Sequence, residues 1–181
     1  MQKPIYKVVI ILLIAINLYS CNETQKSPSI ENGEFPFRFV CKINGETHVI
    51  EDTVICEFDG FDYSALALTK PRSWKEKLKS EDGRILITEE YNTNSVLEPK
   101  RINEKSEIVL CFGMGAYYMS DPNGTSLIHG KPHICYGETY SQGSKITHMD
   151  ATPMSNARAK KLLGLEIIEW NFSEPIKNTF E

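Results

Sequence analysis

Phe37, Phe39, Cys41 and Ile43 alternate with Arg38, Val40 and Lys42, and the run then meets Asn44-Gly45. Successive side chains of a strand point to opposite faces, so this segment carries one apolar face and one mixed face. Asn-Gly is the dipeptide best suited to a two-residue hairpin turn, because both central residues of that turn need positive φ. A chain that opens on such a hairpin must find a second apolar layer to cover it.

The return strand is expected over Glu46–Glu51. The alternation of Val54, Cys56 and Phe58 with Thr53, Ile55 and Glu57, ended by Asp59-Gly60, predicts a third strand, Thr53–Phe58, after a turn at Asp52. Further strands are predicted at Tyr63–Thr69, Arg84–Tyr91, Glu107–Met119, Pro132–Tyr136, Lys145–Met149 and Leu165–Asn171, separated by Lys-Pro, Asp-Gly, Pro-Asn-Gly and Gln-Gly. Two helices are predicted: a short charged one over Ser73–Ser80, and Ser155–Leu163, where Ser155 caps the start and Gly164 closes the end. Helix is too sparse and too late in the chain for an alternating βαβ pattern. The expected fold is mainly β, an antiparallel sandwich or curved sheet with one C-terminal helix, with α+β as the alternative. Within Glu107–Met119, Gly113-Met114-Gly115 reads as a bulge or a close backbone approach rather than a phosphate cradle.

The N-terminus reads as an export signal. Lys3 and Lys7 flank the start of an uncharged run of eleven residues, Val8 to Leu18, too short to span a bilayer as a helix. The run closes with Leu18-Tyr19-Ser20-Cys21, which resembles the lipobox of bacterial lipoproteins. That resemblance implies that residues 1–20 are cleaved and that Cys21 becomes the acylated N-terminus, a durable anchor because it carries several chains. Asn22 in place of Asp implies an outer-membrane lipoprotein facing the periplasm. Residues 21–34 are polar and without periodicity, which predicts a flexible tether, followed by a single domain over 35–181. The formal charge of -4 becomes two units more negative once Lys3 and Lys7 leave, so a nucleic-acid partner, which needs a basic stripe, is excluded.

Cys41, Cys56, Cys111 and Cys135 make an even set in a chain expected to be exported, where disulfides persist. In a three-strand meander Cys41 and Cys56 would lie two strand spacings apart, roughly 9–10 Å. That exceeds the limit of about 7 Å between bridged α-carbons. Two pairings remain open, Cys41–Cys111 with Cys56–Cys135, or Cys41–Cys135 with Cys56–Cys111. The alternative is that these are free thiols packed as small apolar residues.

Metal-ligand residue types cluster at His129, His133 and Cys135, with His148 further along and His48 opposite Cys41 in the hairpin register. Gly130 and Pro132 argue against the helix that would bring His129 and His133 together, so no metal or other cofactor is expected. A hydrolase pairing Cys111 or Cys135 with His148 is a further alternative, although the chain lacks a nucleophile elbow. Tyr117, Tyr118, Asp121 and Asn123, with Tyr136 and Tyr140 flanking Gly137–Ser144, suit a contact surface. Acidic positions such as Glu46, Glu51, Asp52, Glu57 and Asp59 would suit a basic partner. The expected function is a membrane-tethered, non-enzymatic protein-binding module. In layout, though not in any motif, it resembles small immunity lipoproteins that neutralise toxins such as secreted phospholipases in the periplasm. A Cys/His metal binder or envelope hydrolase is the alternative.

Overall fold

The computed structural model describes residues 26–62, 71–81, 83–124, 130–142 and 146–181, with the backbone alone at 142 and 146–151. The export signal, Cys21, the predicted strand 63–69 and His129 lie outside the described residues. The rest forms eight strands and two helices: β1 (Asn32–Ile43), β2 (Glu46–Phe61), β3 (Arg72–Leu78), β4 (Ile85–Asn94), β5 (Ile102–Cys111), α1 (Gly115–Tyr118), β6 (His133–Gln142), β7 (Ile146–Met154), α2 (Asn156–Leu163) and β8 (Glu166–Phe172). They build two four-stranded antiparallel sheets, in the orders β3-β2-β1-β8 and β4-β5-β6-β7, and one apolar core drawn from both. The fold is therefore mainly β and sandwich-like, with one C-terminal helix.

The opening hairpin forms as its residues dictate. Asn44 and Gly45 take φ of 50° and 90°, and Ile43 pairs with Glu46. Phe35, Phe37, Phe39, Cys41 and Ile43 are all buried. Phe37 stacks on Phe172 of β8 at 4.7 Å, and Phe39 meets Trp170 edge-on at 5.3 Å. α2 also follows its sequence signals: Ser155 Oγ accepts the Arg158 amide, and Gly164 closes the helix at φ 65°.

Three elements differ from expectation. Asp52 is not a turn, and β2 runs unbroken for 16 residues, because the Asp52 carboxylate takes the Thr53 amide and the Ser80 hydroxyl while the ladder to β1 continues. The meander is thus a two-strand ribbon: Cys41 lies opposite His48 and Cys56 opposite Gly33. Those positions are eight steps apart on β1, roughly 26 Å along the strand, which rules out a Cys41–Cys56 bridge by another route.

The predicted helix 73–80 is instead β3. Arg72, Trp74 and Leu78 are buried while Lys75 and Lys77 point out, a period of two that the helix-forming lysines disguise. The predicted strand 107–119 ends at Cys111, since Gly113 takes φ 98° and turns the chain into α1. Close packing follows: a Cβ on Gly115 would stand 2.6 Å from Trp74 Cβ. Glu76 of β3 accepts the Gly115 amide at 3.2 Å, and Tyr118 packs fully buried against Phe35 at 4.6 Å.

The first described residues are pinned rather than loose. Ser27 exchanges backbone hydrogen bonds with Glu181 at 2.8 and 3.0 Å, and Ser29 donates to the Thr179 carbonyl at 2.8 Å. Asn178 clasps Ile30 by its amide and carbonyl at 3.0 and 2.8 Å. The expected tether is therefore ordered from about Ser27 onward, because the C-terminal tail supplies its hydrogen bonds.

Candidate functional site

The two ends of the sandwich are built differently. At the end where the segment 27–30 meets the C-terminal tail, Arg72 grips Asp121 through Nε and Nη2 at 2.8 and 2.6 Å, and Trp74 Nε1 donates to the same carboxylate at 2.9 Å. Arg72 also donates to the Lys26 carbonyl at 3.1 Å and lies 4.0 Å over the Phe180 ring. Burial by itself would push the Asp121 carboxyl up, but Arg72, Trp74 and the Asn123 amide hold it below the ordinary range.

At the opposite end a cavity of about 330 Å³ opens between the sheets. Ile43 and Asn44 at the hairpin tip, Leu163 at the end of α2, and Glu90, Ser106 and Tyr136 of the second sheet are among its walls. The loop beside it is fastened to Glu138, which is fully buried and accepts from Ser95 Oγ, the Val96 amide, Tyr136 Oη and Arg101 Nη2 at 2.6, 2.6, 2.9 and 2.6 Å. β1 runs from the clamped end to the cavity, 12 residues or roughly 36 Å of strand.

The outer face of the second sheet carries the reactive groups. β5 and β6 place Cys111 opposite His133 and Cys135 opposite Val109. Leu110, Ile108, Ile134 and Tyr136 face the core, so Cys111, His133 and Cys135 all point outward. A thiol or imidazole atom from each of the three lies within 4.8 Å of the others. His133 Nδ1 donates to the Lys131 carbonyl at 2.8 Å, which leaves Nε2 facing Cys135 Sγ at 3.2 Å. The Cys111 thiol pulls the ionisation of Cys135 down, burial opposes, and His133 adds to the lowering; Cys111 is pushed up in return.

Cys41 and Cys56 are fully buried in the first sheet, where burial pushes their thiols up to about 11 and about 12, the latter with help from Glu76. The four cysteines among the described residues are free thiols. The expected bridges between chain halves are corrected accordingly: the register brings Cys111 to Cys135, both in the second sheet, and leaves Cys41 and Cys56 in the core.

The contact surface expected from the tyrosines is largely internal. Tyr118, Asp121 and Tyr136 are buried and serve the core, the Arg72 clamp and the Glu138 hub, so none of them can meet a partner directly. Tyr117 is half-buried, Asn123 is exposed, and Tyr140 lies half-buried under the Arg101 guanidinium at 3.8 Å. The backbone register does not bring His148 beside either outer cysteine. His148 sits opposite Tyr140, five residues along β6 from Cys135, roughly 16 Å away; it is His133 that meets the thiols. His48 lies opposite Cys41 as the hairpin register requires.

Sequence reasoning missed Arg72, Arg101 and Glu138, single charged residues with no pattern around them. His133 and Cys135 share one face by their spacing of two, a signal the sequence did contain. Comparison of the chain with protein-family models, curated proteins and solved structures finds no match.

Proposed function

We propose that the protein is a lipid-anchored, non-enzymatic binding module of the bacterial envelope. In this reading it is held to the outer membrane through acylated Cys21, faces the periplasm, and inhibits an antibacterial toxin delivered there, of which a secreted phospholipase is the model. One observation carries the reading: the expected tether enters the fold at a clamped end, while the open cavity lies at the other end of β1. Ser27 is six positions along the chain from Cys21, a reach of about 20 Å when extended. A domain on so short a lead keeps its clamped end near the bilayer and turns its hairpin tip, α2 and cavity outward, where an incoming protein meets them. Glu90 on the cavity wall and the chain's net charge of -4 favour a basic group from that protein.

Two measurements test this in intact cells. Radiolabelled palmitate should enter the wild type and not Cys21→Ala; equal labelling refutes the anchor. A photo-crosslinking residue at Asn44 or Glu90 should trap one secreted hydrolase that loses its activity when bound, and the same probe at Thr179 should trap none. Trapping from Thr179 alone would refute the outward-facing cavity. The Cys/His metal-binding alternative rests on a different observation, the outward cluster on β5 and β6.

A further inference from the structure

We propose that Cys111, His133 and Cys135 form a binding site for a thiophilic d10 metal ion, Zn(II) or Cu(I), on the outer face of the second sheet. It is independent of the tether and the distal cavity. Three observations carry it.

The first is the ligand set. Two sulfurs and one imidazole nitrogen converge within 4.8 Å of one another. Bonds of about 2.3 Å to sulfur and 2.0 Å to nitrogen hold such atoms roughly 3.5–3.8 Å apart around one ion. Cys135 Sγ and His133 Nε2 stand 3.2 Å apart and none of the three atoms is more than 4.8 Å from another, so small side-chain rotations close them on an ion. Soft thiolates with an imidazole select Zn(II) and Cu(I) over hard cations.

The second is the orientation of His133. A ligating histidine usually donates its other ring N–H to a carboxylate or carbonyl, which fixes the tautomer and aims the ring. His133 does this already: Nδ1 donates to the Lys131 carbonyl at 2.8 Å, so Nε2 presents a lone pair toward the cluster. Pro132, between donor and acceptor, stiffens that loop.

The third separates a metal from a disulfide. Cys111 is opposite His133, and Cys135 is opposite Val109, so the two thiols occupy diagonal positions. Diagonal positions on neighbouring strands lie about 7–8 Å apart at Cα, beyond the usual span of a bridge. An ion between the sulfurs fills that extra distance. On binding, each thiol releases its proton to solvent; two thiolates then neutralise Zn(II), or leave one negative charge with Cu(I), close to Arg84, which acts electrostatically on Cys111.

The test uses the full-length protein in detergent, reduced and desalted under nitrogen. Zn(II) is offered by equilibrium dialysis, and Cu(I) by competition with a chromogenic copper(I) chelator. The wild type should retain one equivalent of at least one of the two, and which one identifies the ion. Cys111→Ser, Cys135→Ser and His133→Gln should each weaken retention tenfold or more with an unchanged melting temperature before loading, while His48→Gln keeps full retention. Co(II), offered in place of Zn(II), should give thiolate-to-cobalt absorption that falls by about half in each cysteine variant. Should a serine variant fail to fold, His133→Gln and protection of two thiols from alkylation by bound metal read the same site. Retention of neither ion by fully reduced protein, or equal retention by Cys135→Ser, would overturn the proposal.

Discussion

Arg101 and Glu138 meet at 2.6 Å in the second sheet, with the carboxylate fully buried and the guanidinium stacked on Tyr140. Burial would raise the Glu138 carboxyl, but Ser95, Arg101, the Val96 amide and Tyr136 together bring it down to about 2. The folded state thus holds this group well below its value in the unfolded chain. The resulting stability is fully present above the unfolded value near 4.5 and is lost as pH falls toward about 2. Its size is about 3 kcal/mol. Glu138→Gln places an amide among groups that all donate, so it should cost about 3 kcal/mol at pH 6, with the gap to wild type closing toward pH 2. Urea unfolding at several pH values measures this; a gap that ignores pH would show that the charge is not what stabilises.

Asp121 answers to the same physics at the clamped end. Removing it strands Arg72, which is 7% exposed, and leaves Trp74 Nε1 without its acceptor. Breaking a buried pair in this way costs about 3–5 kcal/mol. Asp121→Ala should lose that much in chemical denaturation. It should also loosen the contacts of Arg72 with Lys26 and Phe180, seen as faster hydrogen exchange at Ser27 and Glu181. Normal exchange there would separate the ion pair from the pinning of Ser27 to the C-terminal tail.

Legibility in the sequence followed locality. The Asn44-Gly45 hairpin, the capped helix Ser155–Gly164 and strand β8 were readable because a few adjacent residues decide each. β3 was not, since Lys75, Glu76 and Lys77 form helices readily and only the partner β2 makes them a strand. Asp52 misled because Asp ends strands when its carboxylate has no ladder-compatible donor, and here Ser80, 28 residues on, supplies one. The outward cluster was half legible. The spacing of His133 and Cys135 places them on one face, but Cys111 joins them only through the β5–β6 register across a long connection.

The thiols should divide by position. Cys111 and Cys135 are partly exposed on the outer face, while Cys41 and Cys56 are fully buried. A disulfide reagent applied to native, metal-free, reduced protein should modify the outer pair promptly, and the inner pair only on unfolding, with the inner reaction following the unfolding equilibrium. Mass spectrometry of the labelled peptides decides it. Early labelling of Cys56 would mean that the first sheet opens locally.

The hairpin tip bears on both stability and the distal cavity. Gly45 holds φ of 90° with open space around its missing Cβ, so an added methyl meets no neighbour and the cost is backbone strain alone. Gly45→Ala should therefore lose about 1–2 kcal/mol. Asn44, beside it, lines the cavity, and its side chain is exposed. Asn44→Asp should keep the turn, because Asp also tolerates positive φ, while adding a negative charge at the cavity mouth. Thermal unfolding should show Gly45→Ala well below wild type and Asn44→Asp within about 0.5 kcal/mol of it. If the cavity receives a basic group, Asn44→Asp should strengthen capture of the partner several-fold at low salt, an effect that fades as salt is raised. A weakened partner at unchanged stability would instead mean that the tip meets an acidic or neutral surface.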